Sequence, residues 1–334
     1  MSLRLVAGAP GPPVGPYDAD VVILALDRVE ETAAAIASAL AQRGLRRHVT
    51  VLDQGSGPAA RDRLARVVAG RADASLWALS SNRGVAGGRN IGSWLGQGRV
   101  IAGLDNDAEF ADPHTLARAV AALDADPGLA ALGLRIVAHD SGRDDLSSWG
   151  YPRALLAAAE ESFATVTFVG AGHVIRRSAW DAAGGYDPKL FFCWEEYDFC
   201  LRAIALGWRI GYRGDIVVRH KVAAERRVAW SGRRWFLFVR NRIYIERKCG
   251  ASWAALAPRI AATLVRGARA GLLRQTWGAI AAAARMDLGP GPRPLPAAAA
   301  AYLRRADLAH RGSWLRRLRQ EVLAPPGRPD GACG

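Results

Sequence analysis

Short apolar runs alternate with longer stretches that turn apolar every three or four positions. "DVVILALD" (20–27) is apolar, rich in β-branched residues and ends in a charge, the pattern of a strand buried on both faces. "VEETAAAIASALAQRG" follows as a helix, with Glu30 and Glu31 in its first turn and Gly44 past its end. "RHVTVLDQGSG" (47–57) reads as a second strand ending in Asp53, and "PAARDRLARVVAG" as a second helix opened by proline. "ASLWALSSN" (74–82) is a third strand, "GVAGGRN" a glycine-rich turn and "NIGSWLG" a short helix. "RVIAGLDNDAEF" is a fourth strand, and "DPHTLARAVAALDADPG" another helix. This alternation predicts an α/β fold, a Rossmann-like, mostly parallel sheet with helices on both faces.

From about residue 126 the pattern loosens. "LAALGLRIVAHD" is a strand, whereas residues 139–163 are poorly periodic and read as a loop-rich insertion. "TVTFVGAGHVIRR" suggests a strand pair or a bent strand, and "RIGYRGDIVVRH" a final strand pair ending at His220. Beyond 221 the helical period returns. "WSGRRWFLFVRNRIYIERKCG" is one helix, and Trp253, Leu256, Ile260 and Leu264 recur at helical spacing in an amphipathic helix or helix pair. "GPGPRPLP" (289–296) reads as a hinge before a last helix near 297–323. The expected organisation is a flexible Pro/Gly-rich N-terminus (1–17), a ligand-binding half (18–125), a second half carrying a candidate base (126–220), basic amphipathic helices (221–288), and a hinge, terminal basic helix and tail (289–334).

Charge sharpens that division. The chain of 334 residues carries a formal +14, but residues 221–334 hold 22 Lys+Arg against 6 Asp+Glu, and residues 1–220 hold 23 against 25. The basic character therefore belongs to the C-terminal third. Cys193, Cys200, Cys249 and Cys333 form neither a CxxC pair nor a zinc spacing, and read as free thiols of a reducing compartment. Without a signal-peptide core or a long apolar span, the expected location is the cytoplasm, with a peripheral position on the inner face of its membrane left open.

The candidate chemistry sits where the strands end. In open α/β sheets ligands bind beyond the carboxyl ends of the strands, and Asp27, Asp53, Asn82 and the pair Asp105/Asp107 fall at four such ends. Two carboxylates one residue apart repel each other unless a hard divalent cation lies between them, although Asp107 as a turn cap and Asp105 in solvent would also satisfy the pattern. Asp53 could accept a base N–H or close an Asx-turn. "SNRGVAGGRN" (81–90) lets backbone approach a phosphate, but it is not GxGxxG and follows the third strand, which disfavours a dinucleotide site. "WEEYDFCLR" sets Glu195, Glu196 and Asp198 at a helix start, as ordinary first-turn acids or as a base desolvated by the flanking aromatics. His173 and His220 are each, alone, more often structural than functional.

In order, "VVILALDR", "VLDQGS", "SNRGVAGGRNIG", "GLDNDAEF", "GAGHVIRRSAWDAAGGYDP", "EEYDFCLRAIALGW" and "VVRH" resemble the successive motifs of family 2 glycosyltransferases over about residues 20–250, with the flavour of the bacterial rhamnosyltransferase-like group of cell-wall and polysaccharide biosynthesis. The resemblance implies a GT-A fold and inverting transfer from a nucleotide-diphosphate sugar to a hydroxyl of a saccharide, lipid-linked or small-molecule acceptor, assisted by Mg²⁺ or Mn²⁺. By position, Asp53 matches the base-contacting aspartate, Asp105 and Asp107 the DxD with Asp107 as direct ligand, His220 the histidine completing the metal site, and Glu196 the catalytic base beside Glu195 and Asp198. Asp27, Asn82, Gly84, Arg89, Asn90 and Asn106, with Asp53 and Asp105, fall in the nucleotide-sugar segments. The chain departs from the family pattern at Leu24–Asp27, where Pro-Thr-Tyr-Asn is usual, at Gln54, and at Glu196, where Asp is common.

Two other functions fit parts of the sequence. A nucleotidyltransferase of similar fold needs a glycine-rich triphosphate loop near the first strand, and "LALDRVEE" has no glycine. A degenerate transferase could bind membrane or nucleic acid through residues 221–323. Trp230, Trp235, Trp253, Trp277 and Trp314 in that stretch suit lipid headgroups better than nucleic acid.

Overall fold

The computed structural model describes residues 2–221, 232–289 and 293–313, together with Leu315, Arg317 and Val322. A ten-stranded sheet forms its centre. Strands β1 (Leu3–Gly8), β2 (Ala19–Ala25), β3 (Arg47–Asp53), β4 (Ala74–Leu79) and β5 (Val100–Leu104) build one wing. Strands β6 (Ala108–Phe110), β7 (Leu129–Ala138), β8 (Ser162–Thr165), β9 (Gly172–Arg176) and β10 (Arg209–His220) build the other. The order is β1-β4-β3-β2-β5-β9-β7-β10-β6, with β8 added on β10. Strands β4, β3, β2 and β5 are mutually parallel, and so are β7 and β10. Antiparallel β9 joins the two wings, pairing with β5 on one side and β7 on the other.

Helices α1 (Val29–Leu40), α2 (Pro58–Val68), α3 (Gly84–Trp94), α4 (Thr115–Asp124), α5 (Arg177–Ala183) and α6 (Glu195–Ala205) complete the α/β unit. One core packs α1, α2 and α4 on the sheet around Ile23, Ile36, Leu64 and Leu116; a second lies on the opposite face, around Val22, Phe168, Trp180 and Phe199. Burial of such side chains is the dominant favourable contribution to folding. The basic third supplies α7 (Gly232–Lys248), α8 (Trp253–Arg269), α9 (Leu273–Arg285) and α10 (Ala297–Ala306). Trp235, Val239, Ile243, Leu256 and Ala279 form a smaller core within α7–α9.

Several local expectations are corrected. The N-terminus is not wholly flexible: Leu3–Gly8 pairs antiparallel with β4 and closes that edge of the sheet. Its Pro/Gly content lies mostly in the turn after the strand, which is why composition masks it. "RIGYRGDIVVRH" is one strand, not a pair; a register shift between Arg213 and Val217 absorbs Gly214, where a Cβ would lie 2.3 Å from the Glu160 carbonyl carbon. The glycines of "GVAGGRN" are inside α3, not before it. A Cβ at Gly92 would lie 2.4 Å from Val22 Cγ1, so the missing side chain lets this helix press against β2. Residues 290–292 of the expected hinge, Trp230, Trp314 and most of 314–323 lie outside the described residues. The described helix α10 is docked on the domain, with Tyr302 Oη 2.9 Å from the carbonyl oxygens of both Thr165 and Ile210, which share its one O–H. Cys193, Cys200 and Cys249 are free thiols, and among the described residues no helix is long and apolar enough to cross a membrane.

Candidate active site

Asp105 follows the end of β5, and its N–H donates to the Ala171 carbonyl at 3.2 Å, which turns the chain out of the sheet beside β9. Its Oδ1 lies 2.9 Å from Arg89 Nη2. Arg89 projects from α3, is almost fully buried and also donates to the Val22 carbonyl. Asp107 is turned the other way. Its Oδ2 pairs with Arg28 and its Oδ1 lies 3.3 Å from His220 Nε2 at the end of β10. Burial would raise the Asp107 carboxyl, but His220 and Arg28 outweigh it and hold it below the usual range.

His220 has a second carboxylate behind it. Its Nδ1 is 3.0 Å from Asp145 Oδ2 and 3.3 Å from Ser148 Oγ. Burial would lower the imidazole pKa, yet the hydrogen bonds to Asp107 and Asp145 prevail and lift it to about 10. Asp145 accepts from the Ser147 backbone N–H at 2.9 Å and from Ser148 Oγ at 2.6 Å, which with His220 outweighs its own burial and keeps it ionised.

Opposite this pair, α6 begins with Glu195 and Glu196, both buried, the former with Oε2 free of any hydrogen bond. Burial, with Asp105 nearby, pushes Glu195 up to about 7. Burial and the adjacent Glu195 push Glu196 well above the carboxylate range. A Cβ at Gly170 would lie 2.6 Å from Glu196 Oε1, so that glycine makes room for the carboxyl. Burial and Arg89 lower the His173 pKa to about 3; its ring stacks on Phe168 at 4.4 Å, so it is a neutral packing group.

The remaining expected site residues divide into those facing the crevice and those spent on structure. Asp27, exposed after β2, adopts a left-handed φ of 53° and donates its N–H to Ser56 Oγ at 2.8 Å. Asn82 closes an Asx-turn, accepting the Gly84 N–H at 2.7 Å. Gly84 requires φ +70°, and a Cβ there would meet the Phe191 carbonyl oxygen at 2.0 Å. Asn106 Nδ2 donates to Thr32 Oγ1 at 3.1 Å. Asp53 is fully buried, accepting from the Ser56 N–H at 3.0 Å and from Arg61 Nε at 2.7 Å. Asn90 braces Tyr186 through both its N–H and its carbonyl, at 2.9 and 2.8 Å. Asp198 is turned away from the crevice, between Arg202 Nη2 at 2.8 Å and Lys248 Nζ at 2.6 Å.

Sequence reasoning missed Arg28, Asp145 and Ser148. Asp145 and Ser148 lie in the aperiodic 139–163 stretch, and Arg28 is one arginine among many; only the fold brings them to Asp107 and His220.

A divalent ion is testable against this donor set. Asp107 and His220 face each other, and Asp145 on Nδ1 leaves Nε2 to act as a ligand, the usual outer-shell arrangement behind a metal-bound histidine. Asp105 does not converge with them: among the described residues no three His, Cys, Asp or Glu side chains meet around one point. The pair therefore fits an ion that draws its other oxygens from water and a diphosphate.

Residues 20–183 match the model of glycosyl transferase family 2. No curated protein sequence matches the chain significantly. The fold is similar to that of a mannosyltransferase from Pyrobaculum calidifontis in complex with GDP-Man and Mn²⁺, with TM-score 0.57 and 19% identity, over 97% of this chain and 88% of that one. It is also similar to GalNAc-T7 with UDP, GalNAc and Mn²⁺, with TM-score 0.56 and 15% identity, over 80% of this chain and 55% of that one. Residues 1–349 of TarS from S. aureus align with TM-score 0.51 and 14% identity, over 78% of this chain and 72% of that one. The parallel wing, the carboxylates at its strand ends and the family match converge: residues 20–183 are a glycosyl transferase family 2 domain in a GT-A fold, and the chain is a glycosyltransferase.

Proposed function

We propose that the chain is an inverting, metal-dependent transferase that moves a sugar from a nucleotide-diphosphate donor to a hydroxyl of a saccharide, lipid-linked or small-molecule acceptor. The observation that carries this reading is the facing pair of Asp107 and His220 at the ends of β5 and β10, with Asp105 between that strand end and the buried carboxyl pair at the start of α6, whose Glu195 it helps to raise. Asp107 and His220 would hold Mg²⁺ or Mn²⁺; Mn²⁺ accompanies GDP-Man in the similar mannosyltransferase and UDP with GalNAc in GalNAc-T7. Held there, a divalent ion would supply neutralisation of diphosphate charge and stabilisation of the leaving group. Arg28 and Arg89, paired with the two aspartates, keep the carboxylates compensated when nothing is bound. Glu196 is assigned as the base that takes the acceptor proton, with Glu195 beside it. Burial raises both carboxyls, Glu195 to about 7, which makes them stronger proton acceptors than a solvated carboxylate. One base and one displacement give inversion. Asp27, Asn82, Gly84, Asn106 and Asp105 are assigned to the nucleotide-sugar side of the crevice.

The test is calorimetric titration of UDP, dTDP and GDP into the protein with Mn²⁺ and then with EDTA. The expected outcome is metal-dependent binding of one nucleotide, lost in Asp107→Ala. Absence of binding by all three, with and without metal, refutes the reading.

A peripheral membrane position is part of the same proposal. On α8 the residues Ala254, Ala257, Ala261, Val265 and Ala268 form an exposed apolar stripe, with Trp253 and Trp277 exposed nearby. Residues 247–286 contain seven Lys+Arg and no Asp or Glu. Exposed apolar surface on helices whose charges over this stretch are all positive suits an anionic lipid surface. Trp235 does not contribute, being fully buried under α9 with its Nε1 on Thr276. Val265→Glu with Trp277→Glu is expected to abolish flotation with anionic vesicles; unchanged flotation, or none by the unaltered protein, removes the membrane from the proposal.

A further inference from the structure

The helix α7 belongs to the basic third in sequence, but it lies along the segment that delivers the carboxyl pair. Tyr244 Oη and Lys248 Nζ reach Asp187 Oδ2 at 2.8 and 3.0 Å, and Lys248 also reaches Asp198. Trp194 Nε1 donates to the Phe238 carbonyl at 3.0 Å, and the Arg242 guanidinium lies 4.6 Å from the Trp194 ring. At the centre is Asn241. It is fully buried, and its Nδ2 stands 2.9 Å from each of three carbonyl oxygens, those of Leu190, Phe192 and Cys193. An amide has two N–H donors, so three acceptors at that distance mean that at least one is shared. Arg240 Nε donates to Asn241 Oδ1 at 2.8 Å, which fixes the orientation of the amide. Arg240 Nη2 reinforces the grip, donating to the carbonyls of Lys189 and Leu190 at 2.9 and 3.0 Å.

The backbone held in this way does not favour its own conformation. Phe191, Cys193 and Trp194 all have left-handed φ, at 65°, 71° and 74°, and none is a glycine. L-residues adopt that region at a cost and keep it only where the surroundings over-determine it, a condition that concentrates at active sites. Glu195 and Glu196 follow at once. On the other side of the same loop, the Phe191 carbonyl packs against Gly84 and accepts the Ala86 N–H at 3.4 Å, at the start of α3. One loop thus touches the carboxyl pair, the turn assigned to the nucleotide sugar, and α7.

We propose that Asn241 is a positioning residue of the transferase. By gathering the carbonyls of Leu190, Phe192 and Cys193 it holds the start of α6 against the start of α3, which makes α7 part of the active site rather than an appended basic helix. The catalytic consequence rests on the glycosyltransferase reading; the clamp itself does not.

The experiment uses the full chain with Asn241→Ala and Asn241→Asp. The second keeps the shape but turns an acceptor toward three carbonyls. Hydrogen exchange should rise at least tenfold at the amides of residues 187–198 in both variants and stay unchanged in β2, β3 and β5. With the nucleotide identified by titration, its Kd with Mn²⁺ should stay within threefold, while kcat for transfer or donor hydrolysis falls at least tenfold and KM for the donor changes little. A purely structural role predicts a different result, namely exchange raised throughout, a lower denaturation midpoint, and unchanged kcat in the folded fraction; that result overturns the proposal. If both Asn241 variants fail to fold, Arg240→Gln serves, with a smaller local rise expected in the same segment and an absent rise overturning the clamp. If the unaltered protein binds no nucleotide, the glycosyltransferase reading fails while the exchange data still decide the clamp.

Discussion

Glu195 offers a sharp physical test, because its burial converts directly into a pH dependence of stability. Its carboxyl is lifted from 4.5 to about 7 in the folded chain, first by burial and then by neighbours that include Asp105. The native state therefore binds a proton that the unfolded chain releases. Below about pH 4.5 both states are protonated and the group contributes nothing. As pH rises through the folded pKa, the native state must carry a charge in a desolvated place, so stability is lost across the window from 4.5 to 7. At 1.36 kcal/mol per pKa unit the full window amounts to about 3 kcal/mol, most of which falls between pH 5 and pH 8. Glu195→Gln removes the titration and keeps the shape. Whatever offset the amide introduces at pH 5, the variant should gain about 2–3 kcal/mol on the unaltered protein by pH 8. The assay is urea denaturation of both proteins at the two pH values in EDTA, so that no metal compensates the carboxylates. Comparing the two proteins cancels titrating groups remote from this site; the pKa of Glu196, raised by burial and then by the Glu195 charge, falls in the variant and shifts stability in the same direction. Parallel pH profiles for the two proteins would refute the reasoning and mean that Glu195 is solvated or paired in solution.

Other outcomes follow from single contacts. Gly84→Ala should cost at least about 2 kcal/mol, since it places an L-residue in the left-handed region against the Phe191 carbonyl; denaturation midpoints check it, and a neutral substitution would deny the close approach of that loop to α3. His173 should show no titration by NMR between pH 5 and 9, because burial and Arg89 hold its pKa near 3; a midpoint in that range would place it in solvent. His220 should lose a proton when a divalent ion binds, since free imidazole nitrogen is the ligand and its pKa is lifted to about 10 in the metal-free chain. Calorimetry of Mn²⁺ binding in two buffers of different ionisation enthalpy reads that proton, and buffer-independent heats would remove His220 from the metal site.

The sheet was legible because its strands are short apolar runs that end in charge, and the carboxyl ends of parallel strands converge whatever the details. Asp105, Asp107 and Glu195 could be found this way, since each interrupts or follows an apolar run at a position where burial would be costly without a purpose. What escaped had no local signature. The β1 strand is a short edge whose residues are only partly buried, and the proline turn beside it dominates the composition. Asp145 lies in an aperiodic stretch, and its role is defined by His220, seventy-five residues away. Asp198 and Asn90 look functional because they sit in motif-like segments, yet Lys248 and Arg202 claim the first and the Tyr186 backbone the second. A sequence shows which side chains are unusual; it does not show which of them already have partners.

The same reasoning bears on how the basic third relates to the domain. Were it an appended tail, its contacts would be few and replaceable. Instead Lys248 joins Asp187 and Asp198 on both sides of the carboxyl pair, Asn241 holds the loop before it, and Tyr302 of α10 bonds the carbonyls of β8 and β10. The positive charge divides accordingly. Arg240, Arg242 and Lys248 are engaged inward with the segment around the carboxyl pair, whereas Arg269, Arg274 and Arg285 are exposed. A helix layer that grips the loop before Glu195 and Glu196 on one face and presents apolar surface and arginines on the other would couple the two proposed functions mechanically. An acceptor held at a lipid surface would meet the crevice through the same helices that fix Glu195 and Glu196. On that argument, changes on the outer face of α8 should alter vesicle binding while leaving exchange in residues 187–198 unchanged, and Asn241 changes should do the reverse.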